Sequence, residues 1–201
     1  MNQSSFLRET SLGISHISIY DRLLQDRSIM FTDEVNPESA NELISHLIAL
    51  ELEDGTLPIT LYINSPGGEV NSGLAVYDVI MNLSVPVNTV CIGMAASMAS
   101  VIFLAGRKRS MYEHTKIMIH DPILTGLSGS KRALELEKEA ERLMETRKLI
   151  GSIIAERTGN PLKKVLDKTK EDCYMDASEA IKFGIATEVI GNNTKEGERI
   201  L

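Results

Sequence analysis

Short apolar runs alternate with helix-type segments along the chain, and this alternation constrains the fold more than any other feature. Residues 59–63 and 87–92 have the composition of strands, because β-branched and apolar side chains dominate them. Residues 70–81 between them carry apolar side chains at helical spacing. Two strands joined through a helix are typical of parallel sheets. The sequence therefore predicts an α/β domain of stacked βαβ units.

Ser97 lies where the strand-type run 87–92 is followed by the apolar segment 101–105, among small residues at positions 93–100. This order is typical of a strand, a tight turn and a helix. A serine in the first turn of a helix faces unpaired backbone N–H groups, and small neighbours let a substrate backbone approach, as at a nucleophile elbow. The same segment also fits a serine that only caps a buried helix.

Two further segments follow predicted strands. Pro66, Gly67 and Gly68 come after the run 59–63; paired glycines allow positive φ and expose amide groups to a ligand, although they also form ordinary turns. His120 ends an apolar run, where it serves either as a reactive imidazole or as a structural hydrogen-bonding group. Ligands of parallel α/β sheets bind beyond the carboxyl ends of strands, which is where the glycine pair and Ser97 are expected.

Composition excludes several classes of protein. A chain of 201 residues with 43% apolar residues suits one folded domain. The net charge of −7 disfavours nucleic-acid binding, and the densest basic cluster, 107–109, is expected to be a solvated loop patch. The N-terminus lacks a signal-peptide pattern, and no apolar run reaches membrane-spanning length. Cys91 and Cys173 have no metal-ligand spacing, so we expect free thiols in a reducing cytoplasm.

The chain divides into three parts. Residues 1–18 are predicted to be a flexible arm or hairpin, residues 19–190 a single domain, and residues 191–201 a loose tail. A long helix is predicted from about Lys131 to Thr158. Its apolar stripe either packs on the core or meets a partner subunit, of which self-association is favoured; the stripe comprises Leu136, Ala140, Leu143, Ile150 and Ile154.

Local capping signals place two shorter helices. Asn36 followed by Pro37 predicts a helix start, and Asp176 with Glu179 predicts a capping box for a helix over 177–183. Asp172 lies outside that capping pattern and is either a solvated loop carboxylate or free for another role.

Five segments together resemble the proteolytic subunits of the Clp protease, the ClpP family, over about residues 20–190. They read IYDRLL at 19–24, INSPGG at 63–68, GMAASM at 93–98, MIHDP at 118–122 and DCYM at 172–175. The resemblance implies a ClpP/crotonase-like spiral of stacked βαβ units with a long projecting handle helix, the handle covering about 123–158. Crotonase-type enzymes share the spiral but are not expected to show this Ser, His and Asp series.

The resemblance implies a serine peptidase with a catalytic triad. Ser97 would attack the peptide carbonyl, His120 would move the proton, and Asp172 would orient His120. Backbone N–H groups of Gly68 and Met98 would form the oxyanion hole, and a side chain at position 68 would crowd the approaching carbonyl. The resemblance implies no metal or cofactor for this chain, because ATP is used by a partner unfoldase.

The resemblance also implies assembly and partners. Family members form two seven-membered rings stacked face to face, a homo-oligomeric tetradecamer that takes part in protein quality control. AAA+ unfoldases dock on the outer faces and feed in unfolded protein. The arm 1–18 would line the axial entrance, and Tyr62 and Tyr112 match positions of the docking pocket, although both also fit ordinary surface aromatics.

Several positions depart from the family pattern. Asp121 stands where glutamine is usual, and either acts on the neighbouring imidazole or points to solvent. The loop 124–130 departs from the Gly-rich pattern that pairs rings, and Thr60 and His114 replace docking-pocket residues that are often apolar or aromatic.

Lys170 and Glu171 reverse an acidic–arginine pair that family members place at the ring interface. Our hypothesis is that this subunit pairs with a second, differently charged paralogue in a mixed assembly. The alternative is that both charges are solvated and contribute little to stability.

Three functions stay open from the sequence. The first is a serine endopeptidase of an ATP-dependent system, and the second is a catalytically weak structural or regulatory paralogue in a mixed ring. The third is a crotonase-like acyl-CoA enzyme, whose activity would survive Ser97→Ala. Labelling of Ser97 by a fluorophosphonate separates the first from the second.

Overall fold

A computed structural model describes residues 5–10, 13–124 and 132–191, with side chains from residue 16 onward. The helices are α1 (Ile19–Gln25), α2 (Pro37–Glu53), α3 (Val70–Asn82), α4 (Met98–Ala105), α5 (Ala133–Thr158), α6 (Leu162–Lys168) and α7 (Ala177–Phe183). The strands are β1 (Ser5–Thr10), β2 (Gly13–Ser18), β3 (Ser28–Phe31), β4 (Ile59–Ser65), β5 (Val87–Ala96), β6 (Arg109–Tyr112), β7 (Lys116–Ile119), β8 (Cys173–Met175) and β9 (Glu188–Ile190).

The main sheet is mostly parallel, which confirms the predicted α/β class. Its strands lie in the order β3, β4, β5, β6 and β9, all pairing in parallel, while β7 pairs with both β5 and β8. Helix α2 connects β3 to β4 and helix α3 connects β4 to β5, so two βαβ units follow one another. The β1–β2 pair forms a separate antiparallel hairpin, the second of the two forms expected for the N-terminal arm.

Strand β5 has two successive partners along one edge, a feature that we call the β5 fork. Residues Thr89–Cys91 pair with β6, whereas residues Met94–Ala96 pair with β7. On the opposite edge, β5 pairs with β4 from Val87 to Cys91 and again at Ala95, with a register irregularity between Ile63 and Ser65. The fork allows β7 to end beside the carboxyl end of β5.

The core is centred on α4, all of whose residues are buried. Side chains from the inner face of the sheet and from α2, α3 and α5 complete this core. Its largest fully buried side chains include Leu43, Leu47, Ile59, Leu61, Ile63, Phe103, Met111, Ile117 and Ile154. Burying such a side chain contributes about 1.5–3 kcal/mol. The nucleophile candidate thus precedes the most tightly enclosed helix of the fold.

The long helix α5 has two different halves. Ile150 and Ile154 pack on the core, but Leu136 is 44% exposed, and Leu134 and Met144 are exposed as well. The apolar stripe predicted from the sequence therefore contacts the domain at its C-terminal end and leaves apolar surface free at its N-terminal end. Gly159 adopts a left-handed conformation, φ 70°, and ends the helix as predicted.

The prediction that the basic cluster 107–109 is a solvated patch is wrong for Arg109. Arg107 is exposed, but Arg109 lies in β6 with only 9% exposure. Its guanidinium donates to the carbonyl oxygens of Ile185, Gly184 and Gly106, which explains how the charge is accommodated. Burial and the neighbouring Arg157 lower the pKa of Arg109.

Other expectations fall partly outside the described ranges. The loop 124–130 is described only at Leu124, the predicted helix start at Lys131 is not covered, and the tail is described only at Gly191. The three-part division of the chain stays a prediction. Across the described part of the chain, the helices lack the combined length and hydrophobicity needed to cross a membrane.

Candidate active site

Strand register gathers Ser97, His120 and Asp172, which are far apart in the sequence. In the parallel pair β5–β7, Ala96 lies opposite Met118, and the amide of Ser97 donates to the Met118 carbonyl at 2.9 Å. In the antiparallel pair β7–β8, Ile119 lies opposite Cys173. His120 and Asp172 are therefore the next facing positions beyond this pair, and Ser97 follows the end of β5 beside them.

The three side chains form a continuous chain of contacts. His120 Nε2 lies 2.8 Å from Ser97 Oγ, and His120 Nδ1 lies 3.4 Å from Asp172 Oδ1. The first is a hydrogen-bond distance, and the second is slightly longer than the usual range for such a bond. The imidazole is largely enclosed, with 15% exposure, while the Asp172 side chain is 60% exposed. Solvent therefore reaches the carboxylate end of the chain of contacts much more than the imidazole.

Ser97 has the backbone of a strained turn. Its φ of 52° and ψ of −125° are rare for a residue with a side chain and cost about 1–3 kcal/mol. The alternative role as a helix cap is wrong, because its side chain makes no cap hydrogen bond to α4. The conformation instead aims Oγ at His120 while the N-terminal amides of α4 stay available.

Asn64, at the register irregularity of β4, connects the end of this strand to the segment that precedes Ser97. The amide of Met94 donates to Asn64 Oδ1 at 3.0 Å. A Cβ on Gly93 would collide with that same oxygen, which explains why glycine occurs there. The hydroxyl of Ser65 donates to the carbonyl of Asp33 and accepts from the amide of Gly67. These hydrogen bonds fix the position of the glycine pair relative to Ser97.

The glycine pair has positive φ at both residues, 90° at Gly67 and 151° at Gly68, as the sequence predicts. The reason given for Gly68 is wrong, since a Cβ there would strike the carbonyl of Val35 rather than an approaching substrate. Gly67 is the residue packed against the nucleophile, because its Cβ would lie 2.8 Å from Ser97 Cβ and 2.9 Å from the Met98 amide nitrogen.

The backbone N–H of Gly68 points away from Val35, the residue with which Gly68 forms an isolated parallel bridge. Val35 donates to the Gly67 carbonyl and accepts from the Glu69 amide, which is the pattern of a parallel bridge centred on Gly68. In such a bridge, the N–H of the central residue points to the opposite side. Gly68 and Met98 both line the cleft that contains Ser97. Two backbone donors thus belong to the same cleft as the hydroxyl.

The cleft has an apolar floor and an acidic rim. It encloses about 580 Å³, and its lining includes Met98, Val101, Ile119, Ile150 and Ile154. Glu34 and Glu69 stand on its rim and are exposed. A peptide with an apolar side chain suits this floor.

Asp121, which follows His120, does not point freely into solvent, so that expectation is wrong. Its carboxylate accepts from Arg147 Nε at 2.5 Å and from Thr169 Oγ1 at 2.6 Å. The other expectation, a direct action on the imidazole, stays a prediction. No local pattern in the sequence marks Arg147, because this contact joins elements far apart in the chain.

Tyr62 and Tyr112 are not part of this cleft. Across β5, Tyr62 is in register with Val90 and Val90 with Ser110, so Tyr62 and Tyr112 share one face of the sheet. Burial, and then the charge of Tyr112, raise the pKa of Tyr62. Tyr112 is 44% exposed. Their assignment to a docking pocket, together with the effect of Thr60 and His114, stays a prediction.

The reversed pair before Asp172 is exposed. Lys170 forms an ion pair with Asp167 at 2.6 Å, with side-chain exposures of 62% and 53%, and Glu171 is exposed. Such a local exposed pair contributes little to stability. Lys170 thus has a partner within its own chain.

No group of three or more His, Cys, Asp or Glu side chains suited to a metal ion occurs within residues 5–10, 13–124 and 132–191. Among known protein families, the one described as Clp protease matches residues 11–193, which is most of the chain. The α/β architecture agrees with the fold of that family. The chain therefore belongs to the Clp protease family.

Proposed function

We propose that this chain is a serine endopeptidase in which Ser97, His120 and Asp172 form the catalytic triad. The observation that carries the proposal is the 2.8 Å contact between His120 Nε2 and Ser97 Oγ, made by a serine with positive φ at the start of α4. Membership of the Clp protease family supports peptide-bond hydrolysis as the reaction. The triad supplies the nucleophile and the base that this reaction needs.

The first half of the reaction forms an acyl-enzyme. Ser97 Oγ attacks the peptide carbonyl carbon while its proton passes to His120 Nε2. When the tetrahedral intermediate collapses, the C–N bond breaks and His120 returns the proton to the leaving amine. In the second half, water attacks the ester carbon while His120 takes its proton; the bond between this carbon and Ser97 Oγ then breaks, His120 returns the proton to Oγ, and the peptide acid is released. Asp172 accepts from Nδ1–H and stabilises the imidazolium formed in each half.

The negative oxygen of each intermediate needs donors that are already in place. The amide of Gly68 points away from Val35, and the amide of Met98 is at the first position of α4, where no intrahelical acceptor exists. We assign these two groups as the oxyanion hole. Removal of one such donor typically costs about 10²–10³-fold in kcat.

The substrates are unfolded polypeptides and short peptides. The apolar floor at Val101 and Ile154 favours an apolar side chain next to the scissile bond. A cleft of about 580 Å³ has room for a few side chains of a peptide and not for a folded domain. An AAA+ unfoldase would therefore prepare protein substrates and supply the ATP hydrolysis, in the cytoplasm.

Assembly into two stacked seven-membered rings is part of the proposal. The exposed apolar residues Leu134, Leu136 and Met144 on α5 support a partner surface on this helix, since it does not cover them itself. The sheet face with Tyr62 and Tyr112 is the proposed unfoldase surface. Sedimentation of the purified chain is expected to show a particle of fourteen copies, and a stable monomer would contradict this part.

A mixed ring with a second paralogue is the alternative assembly, favoured by the reversed charges at Lys170 and Glu171. It predicts that the chain alone gives incomplete particles or low activity, and that a paralogue restores both. An active particle of fourteen identical copies would leave no need for a partner. Membership of the Clp protease family leaves the acyl-CoA alternative without support.

Labelling and mutation of Ser97 test the enzymatic proposal. A fluorophosphonate is expected to modify Ser97 in the assembled protein, as located by peptide mass mapping. Ser97→Ala should prevent labelling and lower peptide hydrolysis by about 10⁴–10⁶-fold. Ser178→Ala is the control, because Ser178 is an exposed serine on α7, outside the cleft. Hydrolysis that persists in Ser97→Ala would refute the proposal.

A further inference from the structure

A partly buried ion pair lies behind the triad, between Arg147 on α5 and Asp121. Arg147 Nε donates to Asp121 Oδ2 at 2.5 Å, and the side chains are 19% and 28% exposed. Limited solvent access makes such a charge-assisted contact stronger than an exposed pair. Because Asp121 directly follows His120, the pair anchors the chain segment that carries the imidazole.

Asp121 also connects to the end of α6. Thr169 Oγ1 donates to Asp121 Oδ1 at 2.6 Å, and the amide of Asp121 donates to the Thr169 carbonyl at 2.7 Å. Thr169 is 3% exposed. Both carboxylate oxygens and the backbone amide of Asp121 are therefore engaged, which leaves this residue little freedom to rotate.

Arg147 holds the second segment directly as well. A terminal guanidinium nitrogen donates to the Leu166 carbonyl at 2.9 Å, within α6. The chain passes from α6 through Thr169 to Asp172. One arginine on α5 thus contacts the segments that carry His120 and Asp172, and we call Arg147, Asp121 and Thr169 the Arg147 clamp.

We propose that Arg147 is a positioning residue that keeps Asp172 within reach of His120. The β7–β8 pair next to these two residues has only three residue pairs, and the Asp172 side chain is 60% exposed. A short strand pair alone restrains an exposed carboxylate weakly, so the clamp supplies the missing restraint. This inference rests on the proposed function, because it gives Arg147 a role through the triad.

The first experiment compares substitutions of Arg147 by kcat and KM on a short fluorogenic peptide. Arg147→Ala is expected to lower kcat by about 10–100-fold, the cost of displacing a catalytic group by about 1 Å, with little change in KM. Arg147→Lys should fall between, because one ammonium on a flexible stem cannot reproduce the fork that spans both acceptors. Lys148→Ala, an exposed neighbour on the same helix, is the control and should retain kcat.

The second experiment is a double-mutant cycle with Asp172→Asn, read by the rate of fluorophosphonate labelling of Ser97. If Arg147 acts through Asp172, Arg147→Ala should change the rate less than about twofold once Asp172 is replaced. A general loss of structure would multiply the two effects, and that result would overturn the inference. Thr169→Val removes one hydroxyl and offers a milder variant should Arg147→Ala fail to assemble; a normal kcat there, with Arg147→Lys also normal, would equally refute it.

The two proposals fail in different ways. Wild-type protein that is assembled but neither labelled at Ser97 nor active would refute the serine-peptidase function. Wild-type protein that is labelled and active, with Arg147→Ala unchanged in kcat, would refute only the clamp.

Discussion

His120 and Asp172 face each other just beyond the antiparallel pair of β7 and β8, with Nδ1 and Oδ1 3.4 Å apart. The contact is slightly longer than a hydrogen bond, and solvent reaches the carboxylate. Asp172→Asn should therefore lower kcat less than Ser97→Ala, by about 10²–10⁴-fold, since a triad aspartate orients the base but forms no bond to substrate. Parallel kinetic measurements with Asp167→Asn, an exposed control, would test this; equal losses in Asp172→Asn and Ser97→Ala would contradict it.

Gly67 is expected to tolerate no side chain. In Gly67→Ala, the new Cβ would lie 2.8 Å from Ser97 Cβ at a residue with φ 90°. We expect a loss of at least about 100-fold in kcat, because the nucleophile must shift, and a destabilisation of about 1–3 kcal/mol. Gly159→Ala is the control: φ there is 70°, but no atom lies within 4 Å, so only stability should fall. Denaturant unfolding and peptide hydrolysis together separate the two effects.

Arg109 should matter for stability and not for chemistry. Arg109→Met removes the donor to the carbonyls of Ile185 and Gly184, whereas the Gly106 carbonyl still accepts from Arg157. The free energy of unfolding is expected to fall by about 3 kcal/mol. Arg107→Met, at the exposed end of the same cluster, should change it by less than about 0.5 kcal/mol. A stable Arg109→Met protein would show that the buried guanidinium is dispensable.

The acidic rim of the cleft should influence the choice of peptide. Glu34 and Glu69 are both exposed there, so a peptide with Lys beside an apolar residue should be cleaved faster than its Glu counterpart. One exposed charge contributes about 0.2–1 kcal/mol, so the kcat/KM ratio should be up to about fivefold per glutamate. Glu69→Gln should reduce the ratio, and added salt should reduce it in the wild type. Glu53→Gln is the control, and an unchanged ratio in Glu69→Gln would contradict the prediction.

Stability at acid pH should depend on Glu188. Partial burial raises the pKa of Glu188, but hydrogen bonds from Ser110 and Lys108 outweigh burial and leave it below the ordinary 4.5. A carboxyl with a lowered folded-state pKa stabilises the fold above pH 4.5, and this contribution is lost as pH falls through the lowered value. Melting temperatures of Glu188→Gln should therefore fall less between neutral and acid pH than those of the wild type. Glu53→Gln, an exposed control, should keep the wild-type dependence.

Elements with local signals were predictable from the sequence. Asn36 caps α2 with Pro37 at its first turn, and Asp176 and Glu179 form the capping box of α7, as expected. These signals are local because a cap needs only the first helical turn. By contrast, β6 begins with a buried arginine, and its strand nature depends on β5 and β9 beside it. From its charge alone, Arg109 is expected to be exposed. The sequence does not show that it is buried, since the carbonyl groups that accept its hydrogen bonds at Gly184 and Ile185 come from a distant segment.

The candidate site was predictable to different depths. The small residues around Ser97 and the glycine pair predict a close backbone approach from local composition alone. Asp172 carried no local pattern, and only the family resemblance singled it out. Arg147 was missed, because its contacts with Asp121 and Leu166 exist only after α5 folds back over the domain. Nothing in the spacing along the chain reports a contact of that kind.

Because of the β5 fork, the position of His120 does not depend on the length of the turn between β6 and β7. Tyr112 and Thr115 close the turn between β6 and β7 through the Thr115 amide and hydroxyl, both of which donate to the Tyr112 carbonyl. Because β7 takes its alignment from Met94–Ala96 and not from β6, an extra residue in this turn would bulge outward without moving His120. The turn therefore offers a place for a small probe that leaves the triad in position and reports on the proposed unfoldase surface beside it.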